Sequence, residues 1–220
     1  MHFIPKERTV VYCQYGLEFC LYSLIFFLPF AKAGVEILAA LGTLLWILKR
    51  VLGYRTDGAW RFFPPTPLNK AIAAFLLTNL LSVAMSVNPG LSFPAFASKI
   101  LKFVAIYFIV VETFVVEKNF RRLCLVLTAS AVLIGADAAV QVVRGVDFLR
   151  GYSAGSLTAS FSNPNNFAGW LVVVIPVFAG MALASGSKFL SFRFRMLWWA
   201  LALFLFVCLL LTCSRGAWVG

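Results

Sequence analysis

Apolar runs close to twenty residues long recur along the whole of this chain, broken by short polar segments that hold most of its charges. That is the length a helix rising about 1.5 Å per residue needs to cross a hydrocarbon core about 30 Å thick. A water-soluble globule is excluded on the same ground: of 220 residues, 62% are apolar and 12% charged, too few polar side chains to coat a soluble surface. The pattern predicts an all-α, polytopic transmembrane helix bundle whose partner is the lipid bilayer.

The runs place spans at about 11–30, 34–52, 68–87, 99–116, 123–143, 167–185 and 196–213, which makes seven complete spans in a single membrane domain. After Ser214 the chain enters what reads as the start of an eighth helix. Residues 144–166 form a linker, and Asn88-Pro89-Gly90 closes the third run as a turn. Ala31-Lys32-Ala33 has the small-x-small pattern of a signal-peptidase site, but the run before it is long for a signal segment, so it is read as the first span.

The net charge of +11 does not point to nucleic acid, because the bases lie between apolar runs and not in a patch interleaved with stacking aromatics. They report orientation instead. With the N-terminus inside, the inner segments hold Lys6, Arg8, Lys49, Arg50, Arg55, Arg61, Lys70, Lys118, Arg121, Arg122, Lys188, Arg193 and Arg195. Lys32, Lys99, Lys102, Arg144, Arg150 and Arg215 are left for the outer ones. The bias puts the 88–98 turn, the 144–166 linker and Ser214-Arg215-Gly216 on the outer face.

Five cysteines, Cys13, Cys20, Cys124, Cys208 and Cys213, lack CxxC spacing and are expected to be small buried hydrophobes. The one histidine, His2, is at the N-terminus, so no outer metal cluster or His base is expected, and no cofactor is implied.

Three outer constellations carry chemical possibilities. Ser160-Phe161-Ser162-Asn163-Pro164-Asn165-Asn166 precedes the sixth run; as punctuation it supplies a cap and a turn, and as a site it offers a helix N-terminus with free N–H groups to an anion such as phosphate. Thr212-Cys213-Ser214-Arg215-Gly216 closes the seventh run. Its Arg215 either satisfies the last helix carbonyls or holds a diphosphate, which a planar, permanently charged guanidinium suits. Lys99 and Lys102, three apart, share a helical face at the outer end of the fourth run, as anchors or as further positive charge. Asp137, Gln141 and Arg144 also share a face, and Arg144 is the expected partner of an acid that is costly in a membrane. Glu18 has no evident partner. Such acids keep a transporter among the readings.

The order of Phe161-Ser162-Asn163-Pro164-Asn165-Asn166 before one apolar helix and Leu211-Thr212-Cys213-Ser214-Arg215-Gly216-Ala217 after the next resembles the O-antigen ligase and O-antigen polymerase family. Phe63-Pro64-Pro65-Thr66-Pro67-Leu68-Asn69 and Ser82-Val83-Ala84-Met85-Ser86-Val87-Asn88 are similar to segments of the same family. The resemblance implies a membrane glycan transferase in the bacterial inner membrane, multi-pass with a cytoplasmic N-terminus. It implies transfer of a glycan from an undecaprenyl diphosphate carrier to lipid A core, a polysaccharide or a protein on the outer face, with inversion and without a metal.

Arg215 matches the Arg of the family's Ser-Arg-Gly motif and is the implied catalytic residue, handling the donor diphosphate. Asn163, Asn165 and Asn166 match its Asn-Pro-Asn segment and are implied to shape the substrate cavity; Lys99, Lys102 and Arg150 are further candidates for substrate binding. The family draws its general base from a large outer loop carrying a His, and that loop has no counterpart in this sequence. The chain therefore reads as the N-terminal half of a longer protein, inactive alone. The alternatives are a transporter resembling the bicarbonate-transport members of the same family, or an inactive fragment.

Overall fold

The computed structural model describes residues 6–53, 63–114, 117–153, 155–183 and 192–219. Its helices are α1 (Lys6–Phe27), α2 (Lys32–Gly53), α3 (Asn69–Ala84), α4 (Pro89–Phe96), a π-helical segment (Ala97–Leu101), α5 (Lys102–Thr113), α6 (Glu117–Arg144), α7 (Pro164–Leu183), α8 (Phe192–Leu211) and a short α9 (Arg215–Val219). Among the described residues there is no strand, only one isolated antiparallel bridge between Val146 and Ser153. Among the described residues the fold is all-α.

Four helical segments are long and apolar enough to cross a membrane: Arg8–Phe27, Pro89–Thr113, Lys118–Arg144 and Pro164–Leu183. The expected seven complete spans are not carried by length and composition. The 16 residues of α3 reach only about 24 Å at the helical rise, and the apolar part of α8, Arg195–Leu211, is also short. α2 has the length, with 22 residues, but bears Lys32, Glu36, Lys49 and Arg50.

The fourth segment begins earlier than the sequence suggested. Asn88 caps α4, its side chain accepting from Leu91 N, and Pro89 takes the first turn, where a missing N–H breaks no helical bond. The helix then continues through the π-helical segment into α5, so it starts at Pro89 and not near Lys99. Pro94 lies inside α4, where its ring cannot donate and crowds the carbonyl one turn back, and the π-helical segment begins three residues later. Lys99 and Lys102 thus lie well inside a helix, not at its outer end.

The chain divides into two compact units. The first comprises Met1–Ile25 and Ala33–Cys124. Its core is Leu17, Leu21, Trp46, Phe108 and Ile109, with Trp46 stacked on Phe108 at 6.1 Å. Polar side chains on the same helices satisfy one another. Glu112 accepts from Trp46 Nε1 at 3.1 Å, pairs with Arg50 at 2.7 Å and also pairs with Lys49, which in turn donates to Gln14 Oε1 at 2.7 Å. Glu18, unexplained in the sequence, accepts from Gln14 at 3.3 Å and Asn119 at 3.2 Å and pairs with Arg122 at 3.5 Å.

The second unit comprises Phe26–Lys32 and Leu125–Gly220. α7 lies along α8, burying Phe167, Leu171, Val174 and Phe178 on one helix and Leu201, Leu205 and Cys208 on the other. α6 joins them where Gly135 leaves room for Phe204, since a Cβ there would stand 2.9 Å from the ring. Trp198 Nε1 donates to Thr128 Oγ1 at 3.1 Å, and Ser130 Oγ to Phe26 O at 2.9 Å. These contacts tie the start and middle of α8 to α6, and α6 to the end of α1.

Candidate substrate pocket

The two short motifs singled out in the sequence meet in the second unit. An open pocket of about 440 Å³ is lined by Asn165, Gly169 and Val172 of α7 and by Ser214, Gly216 and Ala217. Ser214 Oγ donates to Asn165 Oδ1 at 2.8 Å and joins the two walls. Asn165 Nδ2 makes no bond to another described residue, so its two N–H groups remain available beside the pocket. Nothing stands within 4 Å of a Cβ built on Gly169 or on Gly216. The lining is therefore polar at one corner and smooth and apolar along α7.

Local capping explains why each wall holds its shape. At the start of α7, Asn163 Oδ1 accepts from Asn165 N at 2.8 Å, while Asn163 O accepts from Asn166 N at 3.1 Å and Phe167 N at 3.3 Å. Pro164 has no N–H to satisfy. The first-turn donors expected to be free for an anion are thus taken by Asn163, and what the helix end offers a ligand is its dipole together with the side chains of Asn165 and Asn166. Phe161 stacks on Phe167 at 5.5 Å just behind the cap.

At the end of α8 the carbonyls are satisfied without Arg215. Cys208 O accepts from Thr212 N at 3.1 Å and Leu210 O from Cys213 N at 3.2 Å. Leu209 O takes Thr212 Oγ1 at 2.7 Å and Trp218 Nε1 at 3.4 Å, and Leu211 O takes Leu157 N at 3.3 Å. Cys213 turns the chain with φ +53°, the left-handed position that commonly ends a helix. Arg215, between two lining residues, is exposed, and its guanidinium makes no hydrogen bond or ion pair with any described residue. The capping role that offered an ordinary explanation for this arginine is filled by others.

The linker behind the pocket is held from α6, and here the structure corrects the sequence. Asp137 is fully buried, and its partner is not Arg144, which is exposed. Its Oδ1 accepts from Phe148 N at 2.9 Å and Leu149 N at 3.2 Å, and its Oδ2 from Ser160 Oγ at 2.6 Å. Gln141, one turn on, accepts through Oε1 from Thr158 N at 3.1 Å and Ala159 N at 2.7 Å, and its Nε2 donates to Thr158 Oγ1 at 3.0 Å. The shared face was legible; that it would serve loop amides was not, although a linker with Gly145 and Gly151 at positive φ must turn sharply and bring N–H groups back to the helix.

The remaining candidates are placed elsewhere. Arg150 donates to Phe30 O, and its guanidinium lies 5.9 Å above the Tyr152 ring, while its own N–H is held by Asp147 Oδ2 at 2.6 Å. Lys102 belongs to the first unit and pairs with Glu36 at 2.6 Å. Lys99 is exposed in the same unit. None of the three lines the pocket. Cys13, Cys20 and Cys208 are buried and Cys124 is half-buried, but Cys213 is exposed beside Ser214.

Among the described residues no three His, Cys, Asp or Glu side chains come together. The groups available to a ligand here are an amide, a hydroxyl and a guanidinium, next to an apolar wall. No protein-family model, curated protein or solved structure matches the chain.

Proposed function

We propose that this chain is the donor-handling part of a membrane glycan transferase of the O-antigen ligase type, taking a glycan on an undecaprenyl diphosphate carrier. The observation that carries the reading is the pocket itself, because it joins the Asn163–Asn166 and Ser214–Gly216 segments into one amphipathic cavity beside an unengaged arginine. A polyprenyl diphosphate has the matching chemistry: anionic oxygens for Arg215 and the Asn165 amide, and a hydrocarbon chain for the wall formed by Gly169 and Val172.

In this reading α2, α3 and α8 cross the bilayer with the four longer segments, giving seven spans with the N-terminus in the cytoplasm of a bacterium. The pocket then opens at the outer face of the inner membrane. An acceptor hydroxyl of lipid A core, a polysaccharide or a protein forms a bond to the anomeric carbon as the bond to the diphosphate breaks. The electron pair leaves with the diphosphate, whose charge Arg215 neutralises, and the hydroxyl proton passes to a base outside the described residues of the pocket. Asn163 and Asn166 do not line the pocket, and Asn163 acts on it through the cap that holds the first turn of α7. A transport path through Asp137 has less support, since both of its oxygens already accept hydrogen bonds from the loop.

The exposed thiol of Cys213 provides the test. Farnesyl diphosphate should protect it from a membrane-impermeant maleimide added to the outer face. Arg215→Ala should raise the protecting concentration by about 10- to 100-fold, the value of one lost charge-assisted hydrogen bond, with insertion into the membrane unchanged. Equal protection of the variant and the parent would remove Arg215 from the proposal.

A further inference from the structure

The residues before the pocket are held more tightly than a surface linker requires. Leu157, Thr158, Ala159 and Ser160 are all buried, and Ala159 has φ +46°, a left-handed conformation that a residue with a Cβ adopts only when its surroundings impose it. Two side chains one turn apart on α6 impose it. Gln141 is 5% exposed and Asp137 0% exposed. Gln141 grips the N–H groups of Thr158 and Ala159 through one oxygen, and Asp137 holds Ser160 Oγ from the other side. From the other end, the N–H of Leu157 is bound to the last carbonyl of α8. Three residues past Ser160 comes Asn163, the cap of α7, and two further on comes Asn165, bonded to Ser214.

We propose that Asp137 and Gln141 are positioning residues. By fixing residues 157–160 against α6 and the end of α8, they set the distance and angle at which Asn165 meets Ser214, and so the shape of the diphosphate corner of the pocket. What Asp137 contributes is acceptor geometry and not charge. An asparagine satisfies the same contacts: its Oδ1 accepts from Phe148 N and Leu149 N, and its Nδ2 donates to Ser160 Oγ, whose hydroxyl can accept as well as donate. This proposal rests on the diphosphate reading for its ligand but not for its geometry.

The experiment uses the chain in lipid nanodiscs, with farnesyl diphosphate as the probe and maleimide labelling of Cys213 as the readout, and follows amide exchange over residues 157–167 in parallel. Asp137→Leu should accelerate exchange across that segment and raise the half-protecting concentration of the probe by about tenfold or more. Asp137→Asn should restore both to within about twofold of the parent. Gln141→Met, which keeps the side-chain length, should act like Asp137→Leu and serves if that variant fails to fold.

Protection that survives Asp137→Leu and Gln141→Met unchanged would overturn the proposal. So would an Asp137→Asn variant as impaired as Asp137→Leu, because a required charge would point to ion transfer. A parent that the probe fails to protect, while exchange still accelerates in Asp137→Leu and Gln141→Met but not in Asp137→Asn, would overturn the diphosphate reading and leave the positioning role supported.

Discussion

Replacing Glu112 with leucine tests the account of the first unit most directly. Its carboxylate accepts from Trp46 Nε1 at 3.1 Å and pairs with both Lys49 and Arg50. The substitution removes all three partnerships and leaves two cations behind. Their side chains are 17% and 20% exposed, so they are neither in bulk water nor fully enclosed. Breaking a buried ion pair costs about 3–5 kcal/mol and an exposed pair about 0–1, and with a fifth of each side chain reaching solvent we expect about 2–3 kcal/mol.

Glu112→Gln should cost less, because its carbonyl oxygen can still accept from Trp46. Reversible unfolding in mixed micelles measures both. The double variant with Lys49→Met identifies the cause: if the penalty comes from the Lys49 charge losing its carboxylate, removing that charge should leave the pair less destabilised than the sum of the single changes by about 1 kcal/mol. Strict additivity, or a Glu112→Leu cost below about 0.5 kcal/mol, would refute the claim that these charges tie α2 to α5.

Two further substitutions probe the second unit by backbone geometry. Gly135→Val should destabilise by about 1–3 kcal/mol, since even its Cβ meets the Phe204 ring, whereas Gly169→Ala, inside α7 with open space around it, should stabilise by about 0.5–1 kcal/mol. Cys213→Gly should stabilise by about 1 kcal/mol, because at φ +53° glycine has no Cβ to crowd the backbone carbonyl; a lower melting temperature would show that the thiol has a packing role.

How far the sequence could be read depends on the range of the interaction. Helix existence follows from local apolarity, and each expected run is helical in the structure, because a backbone polar group in an apolar run has to be satisfied by its neighbours in the chain. Helix ends were less legible. Asn88-Pro89 reads equally well as a turn or as a cap followed by a first-turn proline, and only the residues after it, compatible with a helix despite Pro94, decide for the cap. Partners were the least legible. The i, i+4 spacing correctly put Asp137 and Gln141 on one face, but nothing local says that a loop will fold back to donate Phe148 N and Ala159 N in place of Arg144. The joining of Asn165 to Ser214, 49 residues apart, was hinted at only by resemblance.

Capping and ligand binding place opposite demands on the pocket, and this separates its residues. Asn163 holds the first turn of α7, so Asn163→Ala should cost about 1 kcal/mol of stability. The donors it occupies cannot bind an anion, and the helix dipole that remains is worth about 0.3–1 kcal/mol to one, against about 1.5–3 kcal/mol for a charged hydrogen bond from Arg215. Arg215 holds nothing else in the described structure, so Arg215→Ala should cost almost no stability while causing the larger loss of farnesyl diphosphate protection. The two variants should therefore rank in opposite order by melting temperature and by probe protection. A common ranking in both measurements would mean that Arg215 supports the fold, and the pocket would then have lost its one unengaged charge.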